Sequence, residues 1–259
     1  MNTSSPILSV QNLEKNYGDQ IGCTDVSFDL WPGEVLGIVG ESGSGKTTLL
    51  NCLSAQHAPT NGHIIYDTRV DGAKDLFLMS EAERRLLMRT DWGLVRQNPR
   101  DGLRLGVSAG ANVGERLMAV GARHYGEIRS EATAWLEKVE IDKNRIAHLP
   151  STFSGGMQQR LQIARNLVTN PRLVFMDEPT GGLDVSVQAR LLDLLRGLVA
   201  RLGLSAIVVT HDLAVARLLA HRLMVMKNGR VIEQGLTDQV LDDPQHAYTQ
   251  LLVSSILQP

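Results

Sequence analysis

Short apolar segments separated by turn-forming residues make up the first third of the chain. Hydrophobic and polar positions alternate over Ile7–Val10 and Cys23–Leu30, which predicts half-buried strands. Val35–Val39 is a continuous apolar run that leads into glycine, as expected for a strand buried on both faces. The next segment, Lys46–Ala55, is predicted to be a helix.

The pattern changes in the middle of the chain. Ser80-Glu81-Ala82-Glu83 fits the capping box that opens a helix, and we predict that this helix runs to about Thr90. From about Arg100 to Ser154 the strand pattern fades, and Glu127–Lys138 is a helix candidate. This stretch is therefore predicted to be a mostly helical insert.

Strands and helices alternate again after the insert. The predicted elements are helix Gly156–Val168, strand Leu173–Met176, helix Val185–Arg201, strand Ser205–Thr210, helix Leu213–Ala220, a hairpin of Leu223–Met226 and Val231–Gln234 around Asn228-Gly229, and closing helices Thr237–Asp242 and Tyr248–Ser255. Buried strands that alternate with amphipathic helices predict an α/β fold with a mainly parallel sheet covered on both faces.

The composition is ordinary for a globular protein. Hydrophobic residues make up 43% of the 259 positions and aromatic residues only 4%, so we expect an aliphatic core. The formal net charge is −2, and this balance gives no indication of a nucleic-acid partner. Cys23 and Cys52 lack metal-ligand spacing and are predicted to be reduced thiols.

The sequence gives no indication of a membrane segment. The first ten residues, MNTSSPILSV, lack the basic and apolar regions of a signal peptide. No apolar run approaches the ~20 residues that a membrane-spanning helix needs. We therefore expect a cytoplasmic protein without direct membrane insertion, for which any membrane role would need a partner.

A glycine-rich loop carries the strongest chemical indication. Gly40–Thr47 (GESGSGKT) fits G-x-x-x-x-G-K-[ST] and lies between a predicted buried strand and a predicted helix. Glycines let such a loop wrap around phosphate, and the helix N-terminus adds partial positive charge. We expect Lys46 to reach the β- and γ-phosphates and the Thr47 hydroxyl to ligate Mg²⁺.

Two adjacent carboxylates follow the apolar strand Leu173–Met176. Asp177 and Glu178 would lie at the carboxyl edge of the sheet, where ligands bind in open α/β folds. Asp177 would hold the Mg²⁺ shell, and Glu178 could polarise the attacking water. Alone, such a pair is more often a helix cap or a solvated pair, but the glycine-rich loop favours the functional interpretation.

These motifs resemble those of the ATP-binding cassette (ABC) ATPases, and the resemblance covers nearly the whole chain. It implies an ABC-type P-loop NTPase domain with a mainly parallel sheet, an antiparallel β subdomain and an inserted helical subdomain. We accordingly predict one nucleotide-binding domain over 1–259, with its core at 1–97 and 165–235, its helical subdomain at 98–164 and its C-terminal helices at 236–259.

The segment Phe153–Arg160 (FSGGMQQR) resembles the LSGGQ signature of this family. Ser154 can cap the helix that follows, and the two glycines after it expose N–H groups to a phosphate. The resemblance implies that this phosphate belongs to ATP on the opposite protomer. A homodimer, or a dimer with a second ABC subunit, is therefore expected.

Four further positions match landmarks of the family. Tyr17 resembles the aromatic residue that stacks on adenine, and Gln97 resembles the Q-loop residue that links Mg²⁺ or water to the helical subdomain. Gly181–Asp184 resembles the D-loop. His211 resembles the switch histidine that senses the γ-phosphate, and its alternative role is to cap the next helix.

The resemblance thus implies an ATP hydrolase that uses Mg²⁺. The candidate residues are, for catalysis, Glu178, His211 and Gln97; for ATP binding, Tyr17, Gly40, Glu41, Ser42, Gly43, Ser44, Gly45, Lys46, Thr47 and Thr48; for the signature in trans, Ser154, Gly155, Gly156 and Gln158; for the D-loop, Asp184; and for the metal, Thr47, Gln97 and Asp177.

Three hypotheses compete for what the ATPase drives. Residues 98–126 closely resemble the cassette subunit of the bacterial carbon–phosphorus lyase system, which implies docking on a soluble core complex that breaks down phosphonates. Asp243–Thr249 (DPQHAYT) instead resembles the D-P-x-H-P-Y-T pattern of di- and oligopeptide importer motors. We favour the lyase-associated hypothesis, with the motor of a phosphonate or peptide importer as the alternative. A nucleic-acid or ribosome-associated role is the weakest, because the chain has no paired cassette or basic extension.

Overall fold

The computed structural model describes residues 5–255. The strands are β1 Leu8–Tyr17, β2 Gln20–Leu30, β3 Val35–Val39, β4 Asn61–Thr68, β5 Gly72–Asp75, β6 Trp92–Val95, β7 Leu173–Asp177, β8 Ser205–Thr210, β9 Arg222–Lys227 and β10 Arg230–Leu236. The helices are α1 Lys46–Leu53, α2 Glu81–Thr90, α3 Pro99–Gly102, α4 Ala109–Ala119, α5 Tyr125–Lys138, α6 Gly155–Leu167, α7 Val185–Leu202, α8 Leu213–Leu219, α9 Thr237–Asp242 and α10 Ala247–Ser254.

The chain forms two compact units. The first runs to Arg84 and resumes at Gly203, and the second comprises Arg85–Leu202. The division into a core, a helical subdomain at 98–164 and C-terminal helices stays a prediction. None of the helices within residues 5–255 combines the length and hydropathy of a membrane span.

The first unit contains a four-stranded antiparallel sheet in the order β2-β1-β4-β5. Its first two strands pair from Leu8 opposite Leu30 to Tyr17 opposite Gln20, so β1 is longer than the predicted strand Ile7–Val10. Irregularities in the register after Val10 interrupt the alternation of apolar residues, which explains why the pattern understated the length of this strand.

The first unit also contains parallel strands. The fully buried β3 pairs in parallel with β8 and with β9. Strand β9 pairs antiparallel with β10 through Asn228 and Gly229, which both have positive φ, as a type I′ hairpin turn requires. The predicted hairpin is therefore confirmed.

The second unit is mostly helical around the parallel pair β6 and β7. Helices α4 and α5 pack so closely that a Cβ on Gly114 would come within 2.7 Å of Ile128. Arg165 of α6 donates to the backbone of Asn112 and pairs with Glu115, both on α4. Because α3, α4 and α5 occupy the stretch after residue 100, its predicted helical character is confirmed.

Candidate ATP-binding site

In the first unit, the loop Gly40–Thr47 connects β3 to α1 and is shaped by backbone contacts that only glycine permits. Gly45 has φ +101, and a Cβ there would lie 2.2 Å from the carbonyl oxygen of Gly22. A Cβ on Gly40 would lie 2.3 Å from the carbonyl oxygen of Met226. The loop is therefore pressed against two neighbouring segments and keeps its concave form.

The Lys46 ammonium lies inside this loop. Its Nζ donates to the carbonyl oxygens of Gly40 and Glu41, each at 2.8 Å, and lies 3.4 Å from the Ser44 hydroxyl. The residue is only 6% exposed. A buried cation held by neutral carbonyls is suited to exchange these partners for the oxygens of a phosphate.

The N-terminus of α1 faces the same loop. Among the described residues, no side chain caps α1 at Gly45, so its first N–H groups are available to an anion. Thr47 is exposed in the first turn, whereas Thr48 is half-buried. The Thr47 hydroxyl is a hard oxygen donor of the kind that Mg²⁺ prefers.

Tyr17 lies beside this helix at the end of β1. A Cβ on Gly22 would meet both the Tyr17 ring at 3.1 Å and Thr48 at 2.7 Å, so these two side chains flank the same glycine. The Tyr17 hydroxyl shares a hydrogen bond of 3.0 Å with His57 Nδ1, and 45% of the residue is exposed. This exposure leaves the ring accessible to a stacking base.

His211 follows β8 in the first unit. Val39, the residue before the loop, pairs with Thr210, the residue before His211. His211 is exposed, and Asp212 is the residue that caps α8, by accepting from Ala214 and Val215. The alternative role of His211 as the helix cap is therefore wrong.

In the second unit, Asp177 ends β7 and Glu178 follows it, both half-buried. Glu178 has φ +44, a left-handed conformation that is uncommon for glutamate and marks local strain. Its carbonyl oxygen accepts from Gly181 N at 2.8 Å. The turn thus fixes the backbone of Glu178, and the Asp177 carboxylate is itself a hard oxygen donor of the kind that Mg²⁺ prefers.

Gln97 lies next to this turn. Val95 pairs with Met176, so the ends of β6 and β7 are neighbours. Gln97 is exposed, and a Cβ on Gly181 would lie 3.5 Å from its Cγ. The second unit therefore brings together the Q-loop candidate and the strand-end carboxylates.

The signature segment begins α6. Ser154 caps this helix by accepting from Met157 N at 3.3 Å, as predicted from the sequence. Gly155 is exposed, while Gly156 is packed so that a Cβ would lie 2.6 Å from Val187 of α7. Ser154 thus occupies the Met157 N–H, Gly155 stays exposed at the start of the helix, and Gly156 allows contact with α7.

The side chain of Gln158 is buried, unlike Ser154 and Gly155 in the same signature segment. Its amide is buried and donates to the carbonyl oxygens of Pro150 and Phe153. The side chain therefore holds the segment before Ser154 in place. Contact between Gln158 and a nucleotide on a partner stays a prediction.

The D-loop candidate Asp184 is exposed at the start of α7. Its carbonyl oxygen accepts from Val187 N at 2.9 Å and from Gln188 N at 2.8 Å. Gln188 also donates to the Thr180 hydroxyl at 3.1 Å. These bonds fix the loop from Thr180 to Asp184 onto the first turn of α7.

Two buried glutamines of α6 were missed by the sequence analysis. Gln162 Oε1 accepts from Arg96 N at 2.7 Å, and its Nε2 donates to Arg96 O at 3.1 Å. Gln159 donates to the carbonyl oxygen of Pro179 at 2.9 Å. This amide pair holds the backbone just before Gln97 and just after Glu178. In the sequence, the indication of this role was that uncharged polar residues lie on the otherwise apolar face of α6.

The comparisons with known proteins identify the class. The family model of the ABC transporter domain matches residues 23–181. The chain belongs to this family and is an ABC-type ATP hydrolase.

Individual relatives are similar over nearly the whole chain. PhnK of Escherichia coli (strain K12), named for phosphonates utilization and ATP binding, is 70% identical over 255 residues, which are 98% of this chain and 99% of PhnK. The dipeptide transport ATP-binding protein DppF of Haemophilus influenzae is 37% identical over 262 residues, covering 97% of this chain and 78% of DppF.

Solved structures confirm the ABC-type fold predicted from the sequence. A dimeric post-hydrolysis state of the ATP-binding cassette MJ0796, bound to ADP and Pi, has a TM-score of 0.79 at 30% identity and covers 89% of this chain and 98% of its own. The cbiO1 subunit from Clostridium perfringens has a TM-score of 0.80 at 30% identity, with coverages of 93% and 92%.

Proposed function

We propose that this ABC ATPase acts in phosphonate utilisation, as a dimer that couples Mg-ATP hydrolysis to the soluble carbon–phosphorus lyase core complex. The observation that carries the proposal is the 70% identity to PhnK over nearly the full length of both chains. The proposal has three parts, which concern the nucleotide, the dimer and the partner, and each can fail separately.

In the first part, the loop Gly40–Thr47 binds the phosphates of ATP and Tyr17 stacks on adenine. The Lys46 ammonium and the open N-terminus of α1 provide the positive charge. Thr47, Asp177 and Gln97 would hold Mg²⁺, which supplies charge neutralisation at the phosphates when bound. Glu178 and His211 orient the water that attacks the γ-phosphate.

Two substitutions test this part. We expect Lys46→Ala to abolish tight nucleotide binding, because the loop loses its only lysine charge. Glu178→Gln keeps the shape of the side chain but removes the carboxylate that acts as the base. This variant should therefore bind ATP but hydrolyse hardly any of it. Isothermal titration calorimetry measures the nucleotide affinity, and a phosphate-release assay measures the turnover. Normal turnover by Glu178→Gln would refute the assignment of the base.

In the second part, the signature of one protomer closes on ATP held by another. The exposed Gly155 at the N-terminus of α6 supports this, since the N–H groups before the one that Ser154 caps can face an anion. The similar cassette MJ0796 was solved as a dimer bound to ADP and Pi. The partner is a second copy of this chain or a second ABC subunit.

In the third part, residues 98–126 dock on the lyase core. This segment includes α4, where Gly110 and Gly114 line an apolar groove of about 470 Å³ together with Met118. Met118 and Val120 are 47% and 45% exposed. The apolar groove, with exposed apolar side chains beside it, supports a surface that binds another protein.

An importer motor is the second candidate function. The 37% identity to the dipeptide transport protein DppF and the DPQHAYT segment favour it. The two candidates differ in the partner that residues 98–126 would bind.

Affinity purification separates them. Tagged Glu178→Gln protein is isolated with Mg-ATP from phosphate-starved cells, first without detergent and then with it. We expect a soluble multisubunit lyase core, and expect Met118→Glu to lose it while Val70→Glu, at an exposed position outside the segment, retains it. Recovery only in detergent, together with polytopic permease subunits, would refute the lyase association.

A further inference from the structure

The motif Asp243–Thr249 has no role in the proposed mechanism so far, although it lies in the same unit as the phosphate loop. It spans the turn between α9 and α10 and contains Tyr248, whose hydroxyl reaches that loop. We propose that Tyr248 is a positioning residue, which fixes the backbone of the loop around Lys46. This inference rests on the proposed phosphate site.

The contact concerns the peptide group between Gly40 and Glu41. The Glu41 N–H donates to the Tyr248 hydroxyl at 3.0 Å. The carbonyl oxygen of Gly40, on the opposite edge of the same planar group, accepts from Lys46 Nζ at 2.8 Å. The peptide plane is therefore held from both edges, and a rotation of the plane would break both bonds.

Tyr248 is itself held in one orientation. The residue is only 9% exposed, and His246 Nδ1 caps α10 by accepting from Tyr248 N at 3.0 Å. The ammonium of Lys227 lies 4.5 Å from the centre of the Tyr248 ring, a cation–π distance. The ring cannot turn away from the loop without losing this contact.

The turn before α10 is anchored to the sheet by Glu233 of β10. Its carboxylate accepts from the N–H groups of Gln245 at 2.7 Å and His246 at 3.0 Å. Burial raises the pKa of Glu233, but the hydrogen bonds from the N–H groups of Gln245 and His246, together with the nearby Thr249 hydroxyl, outweigh it and lower the pKa below the ordinary value. The carboxylate therefore stays ionised and keeps these bonds at neutral pH.

This arrangement has a consequence for nucleotide binding. Phosphate oxygens would draw the Lys46 ammonium away from the loop carbonyls. As ATP binds, the loop would therefore lose the hydrogen bonds from Lys46 to the carbonyl oxygens of Gly40 and Glu41. The Tyr248 bond does not involve that ammonium and is retained. Tyr248 thus keeps the Gly40–Glu41 peptide oriented while Lys46 changes partners, which reduces the ordering cost of binding.

The test is Tyr248→Phe, which removes the hydroxyl and keeps the packed ring. Titration calorimetry with Mg-ADP and Mg-ATP should give ~3- to 10-fold weaker binding, the effect of one net hydrogen bond. The ratio of the affinities for Mg-ATP and Mg-GTP should equal that of the wild type, because in the proposed site the base lies against Tyr17 and away from Tyr248. Tyr66→Phe, the same change at another buried tyrosine of this unit, should leave nucleotide affinity unchanged.

Lys46→Ala serves as the reference in the same titration. Unchanged affinity in Tyr248→Phe, beside a large loss in Lys46→Ala, would overturn the positioning role and leave the phosphate site standing. Wild-type affinity in Lys46→Ala would overturn the phosphate site itself. A lower melting temperature of Tyr248→Phe with unchanged affinity would assign the hydroxyl to stability and would also overturn the inference.

Discussion

The buried amide of Gln162 offers a quantitative test of how α6 supports the site. Gln162 is fully buried and makes three hydrogen bonds, two with the backbone of Arg96 and one with Gln159 Oε1 at 3.1 Å. Gln162→Leu keeps a similar volume and removes all three. At about 1 kcal/mol of net stability for each bond, we expect a loss of about 3 kcal/mol.

The same substitution should also lower turnover. Arg96 directly precedes Gln97, so release of its backbone lets the Q-loop residue leave its position beside the turn at Gly181. Misplacement of a positioned group slows catalysis steeply, and we expect kcat to fall on the order of tenfold. The lower kcat should be measurable at temperatures at which the variant is still folded, so that it does not reflect unfolding.

Urea unfolding followed by circular dichroism and steady-state phosphate release are the two assays. Gln11→Leu, the same change at an exposed position of β1, is the matched control and should alter neither quantity. A Gln162→Leu protein within about 0.5 kcal/mol of wild-type stability, the range of ordinary surface changes, would refute the role given to this network.

Two further predictions concern residues of the first unit. Gly45→Ala should abolish ADP binding in a titration, because its Cβ would lie 2.2 Å from the Gly22 carbonyl, whereas Gly43→Ala, with nothing within 4 Å, should retain part of it. Burial raises the pKa of Cys23 to about 12 and that of Cys52 to about 11, from 9.0. Between about pH 9 and pH 11 these thiols therefore ionise mainly in the unfolded chain, and the free energy of unfolding should fall as pH rises through this range. An equal fall in the Cys23→Ala/Cys52→Ala protein would contradict that cause.

The local motifs were predictable because their chemistry lies within a few residues. The loop Gly40–Thr47 lies between β3 and α1 as expected, and Ser154 caps α6. The capping box also forms, since Glu83 accepts from the backbone N–H and the hydroxyl of Ser80, and the helix starts at Glu81, directly after this cap.

The missed features depend on partners that are distant in sequence or on weak patterns. Strand β4 buries only Ile64 and Tyr66, and β5 buries none of its residues, so neither shows a clear alternation. Gln162 and Arg96 are 66 residues apart, and Glu41 and Tyr248 are 207 apart. No local pattern reports such pairs, because they arise only when the fold brings the segments together.

The central claim is that ATP on one protomer closes against the signature of another. Light scattering of Glu178→Gln protein with Mg-ATP tests it directly, with Gly155→Asp in the same background as the control. Gly155 is exposed and its Cβ would lie 3.7 Å from Leu183, an ordinary contact, so aspartate fits the fold but repels a phosphate. We predict a dimer for Glu178→Gln and a monomer for the double variant. Equal dimerisation of both proteins, or a monomer in both, would contradict the claim.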